Sequence, residues 1–259
     1  MSLLEVKTLK RENDTVVLSH SLDDIRNHIS SGNPLIIRGI LSEDESNQMI
    51  AYSHQMSITQ PPSCPKVEYG TSNYHRIDVN VEKSNVKSVL HLYTFFYWNE
   101  ESSPIASYFR RLFKIRNAIS NLPEDYALNN IQDGFVSIPI VQQYPRGGGY
   151  MQEHTDPDTG QKAIFSTLLS KFDKDFFKGG LFYRDHNNKK FFVDNILRPG
   201  DSFVFYPTAA HGVDPIDEEI QLDWNKTDGR WMCFSTLVTV SSINGEKDNT
   251  SGKPVMKAN

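Results

Sequence analysis

The sequence predicts a mainly β protein whose helices gather in the N-terminal half, and three observations lead there. Aromatic residues make up 11 % of the 259 residues, with 15 Phe and 11 Tyr, a bias toward sheets over helical bundles. From Phe135 onward the chain breaks into short runs rich in β-formers, over 135–144, 163–170, 180–184, 190–193, 202–206 and 230–241, separated by turn residues. Short strands at that spacing suit a sandwich or barrel. Before them, capping signals and helical periodicity mark a helix-containing N-terminal half.

The elements follow in order. Ser21 with Asp23 and Asp24 behind it supplies a cap and an acidic first turn, so a helix runs to about residue 30. Residues 34–39 read as a short buried strand stopped by Gly39. Ser42 with Glu45 three positions on is a capping box and opens a second helix. The stretch 57–72, with three prolines and Gly70, reads as a loop, and 89–98 as a strand or buried element. Pro104 begins a further helix, which Ile105, Tyr108, Phe109, Leu112, Phe113 and Ile119 continue at helical spacing. Arg110, Arg111, Lys114 and Arg116 then fall on its solvated face. Polar turns are expected at 185–190 and 198–201, and the tail 243–259 as disordered chain. A single domain over 1–242 results, with 1–134 as a buttress of helices and strands on a 135–242 β core.

Composition narrows the function. The net charge of −5 and pI near 5.9 lack the basic footprint of a nucleic-acid binder. Two cysteines, Cys64 and Cys233, form no disulfide framework and suit a reducing compartment. The first residues carry no apolar core with a cleavage site, and no run of about 18 apolar residues offers a membrane span. The expectation is a cytoplasmic protein with a small-molecule substrate, no nucleic-acid partner and no membrane.

The chemistry centres on His154 and Asp156. At i and i+2 on an extended strand their side chains share one face. An imidazole and a carboxylate held that way are two-thirds of a facial metal site, and His211, just before Gly212-Val213, is the candidate third ligand. A 2-His-1-carboxylate centre with open positions suits non-haem Fe(II) oxygen chemistry. His-x-Asp alone is more often a surface strand pattern than a ligand pair; the weight comes from the ordered set around it. Gly147-Gly148-Gly149 is no phosphate cradle, since no helix-opening Lys-Ser/Thr follows. His75, Arg76 and His91 read first as structural or surface positions and second as substrate contacts.

That ordered set resembles the Fe(II)/2-oxoglutarate-dependent oxygenases, and within them the prolyl 4-hydroxylase-like branch. It comprises Tyr144, Gly147, Tyr150, His154, Asp156, Gly179-Gly180-Leu181-Phe182-Tyr183, Arg198-Pro199-Gly200-Asp201, His211-Gly212-Val213 and Gly229-Arg230, and covers 140–240. The resemblance implies a double-stranded β-helix (jelly roll) with N-terminal helices against its outer face. It implies Fe(II) held by His154, Asp156 and His211, with 2-oxoglutarate and O2 as co-substrates and ascorbate as a stimulating reductant. Arg230 then clamps the distal carboxylate of 2-oxoglutarate, with Tyr144 beside it. Three departures stand out. His211 and Arg230 lie 19 residues apart, with a polar insertion at 217–228. Met232 replaces the usual hydroxyl residue, which hands the second carboxylate contact to Thr167 or Tyr144. Tyr150 lies one residue further from His154 than in prolyl hydroxylases.

The expected activity is hydroxylation of an amino-acid-like or biosynthetic metabolite with release of succinate and CO2. A peptidyl-residue hydroxylase and a metal-binding jelly roll without oxygenase activity are the alternatives. An intact Asp156 favours hydroxylation over halogenation, because halogenases of this superfamily carry Gly or Ala there; desaturation and ring closure stay open. Roof segments at 57–80 and 217–228 supply His75, Arg76 and Trp224 as substrate contacts, a set suited to a zwitterion.

Overall fold

Strands dominate the computed structural model, which describes residues 2–80, 86–100, 103, 105–244 and 253–254. Two strands absent from the sequence reading open the chain, β1 (Leu4–Glu12) and β2 (Thr15–Leu18), joined as an antiparallel pair. Helix α1 (Leu22–Ser30) follows, capped by the Ser21 side chain, which accepts from the Asp24 N–H. Strand β3 (Leu35–Arg38) runs parallel to β1 and pairs antiparallel with a core strand, which ties the N-terminal pair into the main sheet. Helix α2 (Glu43–Thr59) begins at the expected capping box of Ser42 and Glu45. The stretch read as loop continues this helix to Thr59, and strand β4 (Tyr74–Val79) follows it before β5 (Ser88–Thr94).

A short helix α3 (Tyr97–Glu100) precedes α4 (Ala106–Ile119). The latter starts after Ile105 without a side-chain cap, and Pro104 lies outside the described residues. The basic run on α4 corrects the expectation of a solvated face: Arg111 and Arg116 are buried. The helix lies between the N-terminal layer and the core, so two of its faces are covered. The Arg111 guanidinium is held by Glu45 and by the carbonyls of Asn13 and Ile40. Arg116 donates to Asn117 and Ser137 and stacks on Phe113.

The core strands are β6 (Phe135–Tyr144), β7 (Gly149–Thr155), β8 (Ile164–Leu168), β9 (Gly180–Arg184), β10 (Lys190–Phe192), β11 (Ser202–Phe205), β12 (His211–Ile216) and β13 (Arg230–Thr239). A single turn of 3₁₀ helix, η1 (Asp194–Ile196), follows β10, and α5 (Val240–Ile243) ends β13. In hydrogen-bonding order the strands run β10-β9-β12-β7-β5-β6-β13-β8-β11-β3-β1-β2, with β4 on β5. The path closes over itself. Met151, Val213 and Ile216 from the β7–β12 half pack with Ile140, Tyr144 and Met232 from the β6–β13 half. Leu181 and Tyr183 likewise meet Leu168, Phe203 and Phe205. The mainly β jelly-roll core is therefore present, and its interior is the face carrying these two clusters. A third cluster joins the outer face to the helices through Tyr93, Phe95, Val141, Phe165, Trp231 and Cys233.

Most of the tail read as disordered lies outside the described residues. Lys253–Pro254 forms β14, pairing with Thr155 and His154 of β7. No described helix is long and apolar enough to cross a membrane.

Candidate metal centre

Cross-strand pairing builds the centre. His154 is the penultimate residue of β7, His211 opens β12, and the two stand opposite each other in the antiparallel ladder. His211 shares its strand face with Val213 of the interior cluster in the regular pairing with β9, and a register shift in β7, rather than simple alternation, sets His154 opposite it. Asp156 sits just past the end of β7, where its N–H donates to the Pro207 carbonyl at 2.9 Å and fixes its position.

The ring centroids of His154 and His211 lie 4.3 Å apart. His154 Nε2 is 3.8 Å from Asp156 Oδ1, and His211 Nε2 is 3.5 Å from Asp156 Oδ2. One ligand atom from each residue falls within 4.8 Å of the others. Three bonds of about 2.1 Å at near right angles place their ligand atoms about 3 Å apart, so closure on an ion needs only a small inward shift.

The protons are already arranged for ligation. His154 Nδ1 faces the Gln152 carbonyl at 2.8 Å, and His211 Nδ1 faces that of Ala209 at 3.0 Å. A carbonyl only accepts, so each Nδ1 carries a hydrogen and each Nε2 is left turned toward the centre. Burial, reinforced by the neighbouring His154, drops the pKa of His211 to about 4 and keeps it neutral. Both histidines are buried, at 6 % and 7 % exposure, while the Asp156 side chain keeps 25 %; the carboxylate side is the open one. Two neutral imidazoles and one carboxylate on one side of an ion are the donor set of a non-haem iron site.

The other expected residues separate into two groups by sheet face. Arg230 pairs with Tyr144 across β13 and β6, and its guanidinium lies 5.5 Å from the Tyr144 ring centroid, in the interior. Tyr144 is buried and donates its hydroxyl hydrogen to Gln142 Oε1 at 2.7 Å. Burial pushes its phenol well above the ordinary pKa, and the Arg230 charge offsets part of that. Arg230 is not a free clamp. Its Nε and Nη2 donate to Asp194 at 2.6 and 3.0 Å, and its buried Nη1 has no partner among the described residues. Neither Asp194 nor Gln142 was picked out from the sequence. Gln142 could have been found as the position two before Tyr144 on the same strand face, whereas Asp194 left no signal.

Arg76 also belongs to the interior face. It stands opposite Leu92, which stands opposite Gln142, which stands opposite Met232, a row across four strands. Its Nε and Nη2 pair with Asp78 Oδ2 at 3.2 and 3.1 Å.

The structure does not bring Thr167, His75 or Trp224 to the triad. Thr167 shares its strand face with Phe165 of the outer cluster and hydrogen-bonds Ser202 Oγ at 2.6 Å. His75 and Trp224 gather around His91 instead, with Trp224 edge-on at 6.3 Å and His75 Nδ1 at 2.7 Å from His91 Nε2. His91 alternates with Leu90 and Leu92 of the interior, so this group lies on the outer face. The insertion 217–228 is held there too, because Gln143 Nε2 donates to the Lys226 and Asp228 carbonyls. Its near end passes the glycine turn: a Cβ on Gly147, at φ +90°, would lie 2.5 Å from Leu222 N. That close approach, rather than phosphate binding, accounts for the residue.

No family model matches the sequence, and no curated protein matches it. Among solved structures, a prolyl-4-hydroxylase from Pseudomonas putida is similar over 84 % of this chain and 97 % of its own, with 13 % identity and a TM-score of 0.53. A prolyl hydroxylase from Trichoplax adhaerens, solved with a peptide fragment of the hypoxia inducible factor oxygen degradation domain, covers 88 % of this chain and 93 % of its own, at 13 % identity and TM-score 0.51. The non-haem alpha-ketoglutarate-dependent epimerase SnoN of nogalamycin biosynthesis, in complex with Fe3+, alpha ketoglutarate and nogalamycin RO, covers 91 % and 95 %, at 9 % identity and TM-score 0.51. The chain has the fold of the Fe(II)/2-oxoglutarate oxygenases.

Proposed function

We propose that this protein is an Fe(II)- and 2-oxoglutarate-dependent dioxygenase that hydroxylates a small amino-acid-like metabolite. The convergence of one ligand atom each from His154, His211 and Asp156 within 4.8 Å, with both Nε2 atoms facing the carboxylate, carries the reading. The donor chemistry fits iron: both imidazoles spend Nδ1 on a main-chain carbonyl and turn Nε2 toward the carboxylate, and the partly exposed carboxylate leaves a side open for co-substrates. When bound, iron with 2-oxoglutarate and O2 supplies the oxidising chemistry, at the cost of converting the oxo acid to succinate and CO2.

This chain's own residues then have distinct tasks. His154, His211 and Asp156 hold the metal, with both ring orientations fixed by main-chain carbonyls. The unpartnered Nη1 of Arg230 fits the distal carboxylate of 2-oxoglutarate, since a buried N–H without an acceptor is costly and a carboxylate relieves it. Tyr144, Met232, Val213 and Met151 exclude water around that arm. Arg76, on the same face at the edge strand β4, is the donor for a substrate carboxylate. The cytoplasm, where Cys64 and Cys233 stay free thiols, is the proposed place of work.

The test is succinate formation from 2-oxoglutarate with Fe(II) and ascorbate, across a panel of free amino acids and a panel of peptides. Stimulation by an amino acid, lost in Arg76→Ala, is the expected result. No succinate above the metal-free blank would leave a metal-binding jelly roll without oxygenase activity. Stimulation by peptides alone would favour the peptidyl reading, whose support is the peptide held by the similar Trichoplax enzyme.

A further inference from the structure

A guanidinium has several edges, and the one on Arg230 that carries Nε is already taken. Asp194, the first residue of η1, has no solvent exposure and spans that edge with both oxygens. Its Oδ2 also accepts the Leu181 N–H at 2.8 Å, so the carboxylate is anchored to β9 before it meets the arginine. The strand leaves room for it at a glycine: a Cβ on Gly180, at φ +119°, would run into Asp194 Oδ2. The pair thus reaches from β13, in one half of the barrel, to β9 and η1 in the other. On the remaining side the Tyr144 ring flanks the guanidinium. The plane is therefore held on its Nε edge and along one side, and Nη1 alone is buried with no partner among the described residues.

Building on the proposed function, we infer that Asp194 is a positioning residue: it locks Arg230 through Nε and Nη2 so that Nη1 is presented to the distal carboxylate of the 2-oxo acid. Two consequences follow from the chemistry. The pair is close to neutral, so the contact to co-substrate works by aimed hydrogen bonding more than by net charge. A lysine at 230 cannot replace it, because a single ammonium lacks the rigid fork that serves two carboxylates in fixed directions.

The experiment uses the full chain loaded anaerobically with Fe(II). Calorimetric titration gives the Kd of 2-oxoglutarate and of 2-oxobutyrate, which has the same chelating end but no distal carboxylate. Wild type should bind 2-oxoglutarate the more tightly. In Asp194→Ala and in Arg230→Lys that preference should fall by about tenfold or more, with Fe(II) affinity unchanged. Asp194→Asn, which keeps shape and one acceptor, should fall between. A purely structural role would lower the folded fraction and leave the Kd ratio where it was. Should Asp194→Ala fail to fold, Asp194→Asn and Arg230→Lys decide. A wild-type ratio retained in the folded variants overturns the positioning role and leaves the proposed function standing. A wild type that binds Fe(II) but no 2-oxoglutarate overturns both.

Discussion

Two pairs of buried histidines lie on opposite faces of this sheet, and their rings are almost equally close. The His154 and His211 centroids are 4.3 Å apart, those of His75 and His91 4.9 Å. Hydrogen bonding separates them. In the first pair each Nδ1 is used by a carbonyl two residues upstream, so both Nε2 atoms stay available and meet beside a carboxylate. In the second, His75 Nε2 donates to the Gln60 carbonyl at 2.8 Å, which makes its Nδ1 the acceptor for His91 Nε2–H. His91 Nδ1 then accepts from the Tyr93 hydroxyl at 3.0 Å, whose pKa burial pushes up to about 12. All four ring nitrogens are consumed, and among the described residues no carboxylate joins them. Proximity of histidines does not make a metal site; uncommitted lone pairs beside a charge do.

The largest effect that can break this comparison is on turnover. His211→Ala removes an uncommitted Nε2 and should lower succinate formation by on the order of 1,000-fold. His75→Gln, at an equally buried histidine, should change it by less than about threefold. A large loss in His75→Gln would place the second pair in the chemistry after all.

An intermediate effect is expected in acid. Burial first, then the neighbouring His75 and His54, drops the pKa of His91 to about 3 from an ordinary 6.5. Between those values the unfolded chain holds a proton that the folded chain excludes. The His91 contribution is complete above pH 6.5 and is lost as pH falls toward 3, at about 1.4 kcal/mol per pH unit. In urea unfolding of the metal-free protein, His91→Leu should flatten that acid limb by about one proton. An unchanged slope would mean that His91 takes up its proton without unfolding.

The smallest effect belongs to Trp224. On the outer face, edge-on to His91, it should cost about 1 kcal/mol of stability when changed to Ala and leave the KM of any accepted substrate unaltered. A raised KM would return the insertion to the barrel mouth.

What was legible in the sequence was the part fixed by strand periodicity. His154 and Asp156 at i and i+2, and the polarity of the runs from Phe135 on, put the β core and the three convergent residues within reach. What was not legible depends on which layer covers which. Arg111 and Arg116 look like a solvated face until α4 is seen between two layers. His75 and Arg76 are neighbours in the chain, yet alternation sends one to the outer face and the other to the interior. Trp224 sits in an acidic insertion whose course is set by Gln143, about 80 residues away. Asp194 meets Arg230 across the barrel, a contact that no local pattern announces.

The most direct measurement is anaerobic Fe(II) binding, by equilibrium dialysis, to wild type, His211→Ala, Asp156→Ala, His75→Gln and His91→Leu. The account predicts a single equivalent of iron on wild type and on both outer-face variants, and none on His211→Ala or Asp156→Ala. Iron retained by His211→Ala, or lost from a folded His75→Gln, would contradict it.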